Sequence, residues 1–309
     1  MSTPAAAAPR EIPRWRTTLN DYLTLTKPRV ISLLLLTAWL AQVMAARGWP
    51  GWGPFLAVGF GFYGMAGSSH TFNMVIDRDI DLRMTRTSHR PVASGRVSVA
   101  SAMLFAFALL GSSFALLWFG ATPLSAWMAL AGLLFYVFVY TIGLKRYTTQ
   151  NIVIGGAAGA FPPLVGWAAV HGSLDPLAWL LFALIFLWTP VHFWALAILI
   201  KDDYAEAQVP MLPVVVGEKK TAVQIGAYAI LTTLCALAPV VWHEGNATSA
   251  TWLYGVAALL LSGDLMRRSW ILWRSPERKK ASSLFHYSMI YLALLFAVLA
   301  ADRVIFVRG

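Results

Sequence analysis

Nine stretches of the chain are apolar on every face for the length of a membrane crossing, and the polar residues collect between them. The runs fall near 30–46, 54–76, 99–119, 124–143, 152–170, 176–200, 222–242, 251–270 and 284–305, each close to the roughly 20 residues that carry a helix across about 30 Å of hydrocarbon. None alternates polar and apolar residues as a barrel strand does, so the predicted elements are helices, which satisfy their own backbone groups in lipid. The fold class expected is all-α, a polytopic membrane bundle of about nine helices. The connections RGWPGWG, FGATPLS, HGSLDP and HEGNATS read as tight turns. Those near 78–98 and 201–220 are longer, charged and contain proline, which marks them as candidates for function. Residues 1–25 have no apolar run, do not read as a cleaved secretory signal, and are expected to be a flexible arm ahead of a single membrane domain, 26–309.

Composition agrees with the pattern and charge adds an orientation. The 309 residues are 58% hydrophobic and 12% charged, where a soluble domain carries about 25% charged residues. A net charge of +10 could suggest nucleic acid, but all of the 24 basic residues except Arg47, Arg303 and Arg308 fall in alternate loops. That distribution is the positive-inside rule: the N-terminus is expected in the cytoplasm, the C-terminus outside, and no nucleic-acid partner. The single cysteine, Cys235, lies within an apolar run and excludes both a disulfide framework and a thiolate metal site.

The chemistry concentrates at the end of the second run, in NMVIDRDIDLRMTRTSHRP. Asn73, Asp77 and Asp81 are spaced by four. Four residues of helix turn through about 400°, so the three share one face with roughly 6 Å of rise between neighbours. A carboxylate at membrane depth costs on the order of 2.5 to 3.5 kcal/mol and is read as functional by default. A second acidic group, Asp202, Asp203 and Glu206 with Lys201 and Tyr204, follows the sixth run four helices later, which hints at a repeated unit. Two such clusters facing each other need cations between them. Mg²⁺ takes oxygen ligands from carboxylates and phosphates, and Arg78, Arg83, Arg86, Arg90, Lys145 and Arg146 lie on the same side for the remaining phosphate oxygens. An apolar interior rich in aromatics suits a hydrocarbon tail. The plain alternatives are an interfacial salt-bridge cluster of the first motif with Arg78 and Arg83, and a solvated loop for the second.

These segments, with LTKPRV at 25–30, YTIGLKRYTTQNIVIGGAAGAFPPLVGW at 140–167, TPVHFWALAI at 189–198 and DDYAEAQVPMLPVVVG at 202–217, resemble the UbiA-type intramembrane prenyltransferases and, among them, the protoheme IX farnesyltransferase branch. The resemblance runs over nearly the whole chain. It implies transfer of farnesyl from farnesyl diphosphate to a vinyl group of heme B, with water addition, giving heme O and diphosphate. By motif, Asn73, Asp77 and Asp81 would be the first Mg²⁺-diphosphate site. Asp202 and Asp203, with Glu206 as the further acid, would be the second, and Lys145 and Arg146 the basic pair at the diphosphate. Tyr140, Phe193, Trp194 and Tyr204 are candidates to steady an allylic cation. Heme B is a substrate, since no CxxCH attachment motif is present. His70 and His192 are candidate axial ligands, with ordinary helix packing as the alternative for each, and Arg78, Arg90 and Arg96 are candidates for anionic groups of the substrates. The implied setting is a bacterial inner membrane, or a mitochondrial one, with a heme A synthase or terminal oxidase assembly downstream. Two other readings stay open here: prenyl transfer to an aromatic acceptor such as 4-hydroxybenzoate, and a secondary transporter, whose intramembrane acids sit near the midplane.

Overall fold

The computed structural model describes residues 14–244 and 247–307. Among them the chain is helical apart from loops and a two-residue antiparallel ribbon, β1 (His243–Glu244) with β2 (Ala247–Thr248). Seven helical spans are both long and apolar enough to cross a membrane: α2 (Pro28–Ala46), α6 (Val99–Gly120), α7 with a following π segment (Pro123–Leu144), α8 and α9 (Asn151–Gly155, Ala157–His171), α10 (Pro176–Leu199), α13 (Glu218–Val241) and α15 (Arg278–Ile305). Two further rods complete the expected order but differ in kind. One runs from α3 (Trp52–Ala57) through a π turn, Val58–Phe62, into α4 (Tyr63–Ile76). The other is α14 (Trp252–Arg274), whose second half carries Asp264, Arg267 and Arg268. The sequence-based count of nine therefore includes two rods outside those seven spans, one rich in Gly and Ser and one charged along half its length.

The expected flexible arm is only partly within the described residues, and its second half is ordered. Arg14–Thr26 form helix α1, which packs on α4. Its apolar residues are too few for a crossing but recur every four positions. Trp15, Leu19 and Leu23 are exposed while Leu25 is fully buried, as in a helix lying in the membrane interface. Arg96 holds it from the next loop, with Nε donating to Asp21 at 3.0 Å.

Of the seven spans, α9 and α10 are the most buried, and they organise the interior. Leu164 and Trp167 of α9 join a core with α10 and α13–α15, whereas Val165 and Ala169 face a second core with α2, α4, α6 and α7. Around this interior, Phe60, Leu104, Phe119 and Leu260 point outward, which is expected where the solvent is lipid. Close approach is set by glycine. At Gly166 an added Cβ would overlap the Ala38 carbonyl and lie 2.8 Å from its carbon, so α2 and α9 meet backbone to backbone. Both α4 and α10 end in a break followed by a six-residue acidic helix, α5 (Arg78–Arg83) and α11 (Lys201–Glu206).

Candidate active site

The i, i+4, i+8 spacing survives the break between α4 and α5. Asp77 N donates to the Asn73 carbonyl at 2.9 Å and Asp81 N to the Asp77 carbonyl at 2.8 Å, so all three side chains stay on one face, and all three are buried. Asn73 Nδ2 donates to Asp77 Oδ2 at 2.6 Å and to Thr141 Oγ1 at 3.3 Å, and its Oδ1 accepts from Lys27 Nζ at 3.1 Å. Lys145 Nζ donates to the same Asp77 Oδ2. Asp77 Oδ1 has no hydrogen-bond donor among the described residues; the Arg146 guanidinium stands 3.7 Å away. Arg90 Nη1 donates to both oxygens of Asp81 at 2.8 Å.

The first motif is thus paired, but by Lys145 and Arg90 rather than by the Arg78 and Arg83 of the salt-bridge alternative. Arg78 is exposed on α5, and Arg90 is engaged on Asp81. Arg146 takes Asp79 in a two-pronged contact of 2.7 and 2.8 Å, which lowers the Asp79 carboxyl from its usual range. Arg90, Lys145 and Arg146 match Asp77, Asp79 and Asp81 charge for charge, and Lys27 adds a further donor that a bound polyanion would keep protonated. Burial, followed by repulsion from Arg90 and Lys145, holds the Lys27 ammonium well below its ordinary value. Its backbone is in the left-handed region, φ 53°, directly before Pro28, a conformation a non-glycine residue adopts only under constraint. Lys27 lay in plain view in LTKPRV; the helix break that aims it at Asn73 is what sequence spacing does not display.

The second acidic group is arranged differently. Asp202 pairs with Arg278 and its side chain is 82% exposed, and Glu206 is exposed. Asp203 is half-buried, and Tyr204 beside it lies in the electrostatic field of Asp77, Arg86, Arg90 and Asp203, with burial raising its hydroxyl. Tyr204 is thus the residue of α11 that shares its electrostatic surroundings with the first motif, and Asp203 is its neighbour in the chain. Among the described residues no three His, Cys, Asp or Glu side chains converge into a ready metal cage.

Beside the charged cluster is an apolar cavity of ≈ 300 Å³, lined by Leu33 and Leu34 of α2, Tyr136 and Tyr140, Gly155 and Gly156, Trp188, His192 and Phe193 of α10, and Phe285 of α15, with Arg29 also on its wall. One stretch of backbone joins it to the carboxylates. The π segment Phe135–Leu144 puts Tyr136 and Tyr140, stacked at 5.4 Å, on the cavity wall, while its Thr141 bonds to Asn73 and the next residues are Lys145 and Arg146. Of the aromatics expected here, Tyr140 and Phe193 line the cavity. Trp194 does not; it is fully buried against Tyr228, one residue out of phase with Phe193 on the same helix. Tyr136, Trp188 and Phe285 are the aromatics that sequence reasoning missed. Arg96 is spent on Asp21 and the His89 carbonyl.

The profile of the UbiA prenyltransferase family matches residues 34–295. The chain belongs to that family. Curated UbiA-family relatives include the protoheme IX farnesyltransferase of Deinococcus radiodurans, 52% identical over 305 residues, covering 95% of this chain and 96% of that protein. That of Thermus thermophilus is 59% identical over 288 residues, 93% of this chain but 46% of that protein, so this chain spans about half the length of that relative. Solved structures share the fold. A chain of digeranylgeranylglyceryl phosphate synthase has a TM-score of 0.75 at 17% identity, covering 93% of this chain and 99% of that one. A UbiA homolog from Archaeoglobus fulgidus, bound to DMAPP and Mg²⁺, has 0.65 at 17%, covering 90% and 99%. This UbiA-family chain is accordingly a multi-pass membrane protein built as an all-α bundle.

Proposed function

We propose that the chain transfers the farnesyl group of farnesyl diphosphate to a vinyl carbon of heme B, adding water to give heme O and diphosphate, at the cytoplasm-facing end of a bacterial inner-membrane bundle. The observation that carries the reading is the join between the cationic, carboxylate-bearing cluster and the apolar cavity along one π segment, which divides the site into an anion end and a hydrocarbon end. The names of the relatives supply the acceptor.

The donors for a hard cation would be Asn73 Oδ1 and the Asp77 and Asp81 carboxylates, with Asp203 as the acid of the second motif; that Asp77 Oδ1 is buried and lacks a hydrogen-bond donor among the described residues supports this reading. Mg²⁺ held there supplies positive charge to the diphosphate oxygens. Lys27, Lys145 and Arg146 are placed to hold the remaining phosphate oxygens and to stabilise the charge that develops on the leaving group, a preorganised contribution usually worth several kcal/mol. As the C1–O bond of farnesyl diphosphate breaks, diphosphate leaves with the bonding pair. The faces of Tyr136 and Tyr140 steady the allylic cation, and the apolar wall keeps water from it. The vinyl π electrons form the new C–C bond. The resulting cation beside the porphyrin takes up water and loses one proton, which leaves a hydroxyethylfarnesyl substituent.

Full-length protein in lipid nanodiscs, given heme B, farnesyl diphosphate and Mg²⁺, is expected to yield the farnesylated, hydrated heme by mass spectrometry. EDTA is expected to stop the reaction and added Mg²⁺ to restore it. Prenylated 4-hydroxybenzoate without prenylated heme would move the chain to the aromatic-acceptor branch, and transfer to neither acceptor would reopen the transporter reading.

The cavity wall offers a milder test. A Cβ on Gly155 would overlap the Tyr140 ring, lying 3.0 Å from its Cγ, and a side chain can move where backbone cannot. Gly155→Ala is therefore expected to lower the melting temperature by a few degrees while weakening farnesyl diphosphate binding several-fold, read as a rise in KM without a matching loss of kcat.

A further inference from the structure

Two histidines border the interior cavities, and their surroundings differ. His192 of α10 is clamped between Trp188, at 4.5 Å and 15°, and Phe285, at 4.6 Å and 22°, so its ring cannot turn without unstacking both. Its Nδ1 lies 2.8 Å from Ser288 Oγ. That hydroxyl already donates to the Phe285 carbonyl at 2.7 Å, and a serine hydroxyl has a single proton to give. Toward the histidine Ser288 can only accept, and the Phe285 carbonyl can only accept as well. With the Ser288 proton on the Phe285 carbonyl, Nδ1 carries the imidazole proton and the lone pair of the neutral ring sits on Nε2. His192 lines the cavity of ≈ 300 Å³, so Nε2 is the nitrogen left to face it.

His70 of α4 has neither arrangement. Both its ring nitrogens are buried with no hydrogen-bond partner, nothing fixes a tautomer, and Tyr136 meets it edge-on at 5.4 Å. It borders a smaller adjoining pocket of ≈ 90 Å³ that shares Leu34, Tyr136, Ala158 and Gly159 with the first.

We infer that His192 is the axial ligand of the iron of the heme acceptor, its Nε2 presented to the cavity by the tautomer that Ser288 and Phe285 impose; this rests on the heme-acceptor reading above. A metal-binding histidine ordinarily donates its other ring N–H to a protein acceptor, which orients the ring and raises its basicity, and that donor bond is already made here. The polar groups around the cavity are otherwise few, with Arg29, Thr189 and the two tyrosines among its lining residues. Ligation by His192 would thus be the one strong polar interaction deep in an apolar wall. Its role is to position the porphyrin, so that a vinyl group rather than another edge meets the allylic carbon.

The test is a titration of full-length protein in nanodiscs with heme B and, in parallel, with iron-free protoporphyrin IX. Wild type and His70→Ala are expected to show the absorption and resonance Raman signature of histidine-ligated iron. His192→Gly and the better-filled His192→Gln are expected to lose that signature, to bind heme at least tenfold more weakly, and to bind the iron-free porphyrin as wild type does. Free imidazole is expected to restore the ligated spectrum in His192→Gly. Equal binding of the iron-free porphyrin shows that the variants are folded. A histidine-ligated spectrum that persists in both His192 variants, or that disappears in His70→Ala, overturns the assignment while leaving heme as acceptor. Failure of wild type to bind either porphyrin removes the heme-acceptor reading itself, and the assignment with it.

Discussion

Replacing Asp77 by Asn is expected to lower turnover by about 10²- to 10³-fold, the usual cost of losing one preorganised electrostatic group. Asp77 is fully buried, and its Oδ2 accepts from both Asn73 and Lys145. An amide at this position keeps the shape but carries no charge and brings two N–H donors among groups that are themselves donors. Lys145 is then left largely buried without its counter-charge. Removing one partner of a buried pair costs roughly 3–5 kcal/mol, here an upper bound because Lys145 keeps 12% of its side-chain surface. The loss of stability and the loss of chemistry can be separated. Asp77→Asn combined with Lys145→Met is expected to regain most of the melting temperature in nanodiscs and none of the turnover, as read by product mass. If Asp77→Asn alone turns over within threefold of wild type, the first motif does not act on the diphosphate.

Gly166→Ala is expected to damage the fold more than any other single methyl group added at the glycines described above. The new Cβ would overlap the Ala38 carbonyl oxygen and stand 2.8 Å from its carbon and 3.2 Å from its Cα, so the obstacle is backbone and no rotamer relieves it. Overpacking a tight interior costs about 1–3 kcal/mol where side chains can yield, and the upper end or beyond is expected here, because α2 must move away from α9 as a rod. Gly226→Ala on α13, where nothing lies within 4 Å, is the matched control. Thermal unfolding followed by size-exclusion profile in detergent should show a drop of several degrees and early aggregation for Gly166→Ala and no change for Gly226→Ala. Equal melting temperatures would mean that the α2–α9 contact is looser than drawn.

Much of this architecture was legible because lipid leaves few choices. Apolar runs of membrane length became rods, and a spacing of four kept Asn73, Asp77 and Asp81 on one face even across the helix break at Asp77. What stayed hidden required knowing neighbours. Asp202 and Asp203 are adjacent and chemically identical, yet one pairs with Arg278 at the surface and the other is half-buried beside the half-buried Tyr204, a difference set by the start of α15, 76 residues away. Phe193 and Trp194 are likewise adjacent, and helical phase alone sends one to the cavity and the other into the core. Arg78 and Arg90 occupy the same loop region, but only Arg90 turns back onto a carboxylate. Residues 14–26 carry too little hydrophobicity to be read as a crossing, and their four-residue stripe declares itself only once α4 is there to lie against.

The π segment at 135–144 packs more residues into each turn than an α-helix does. Lys145 N donates to the carbonyl five residues back, on Tyr140, at 2.8 Å, where an α-helix would reach back four. Each such turn retards the rotation of everything that follows. The first half of the rod is therefore keyed to its neighbours through Ala126, Ala129 and Leu133, and the second half is offset from it like a gear wheel slipped by one tooth. Thr141, Lys145 and Arg146 meet Asn73, Asp77 and Asp79 in an angular position that the packing half would not dictate. The bundle can thus keep its packing phase and its reactive phase as separate settings, with the π segment as the coupling between them.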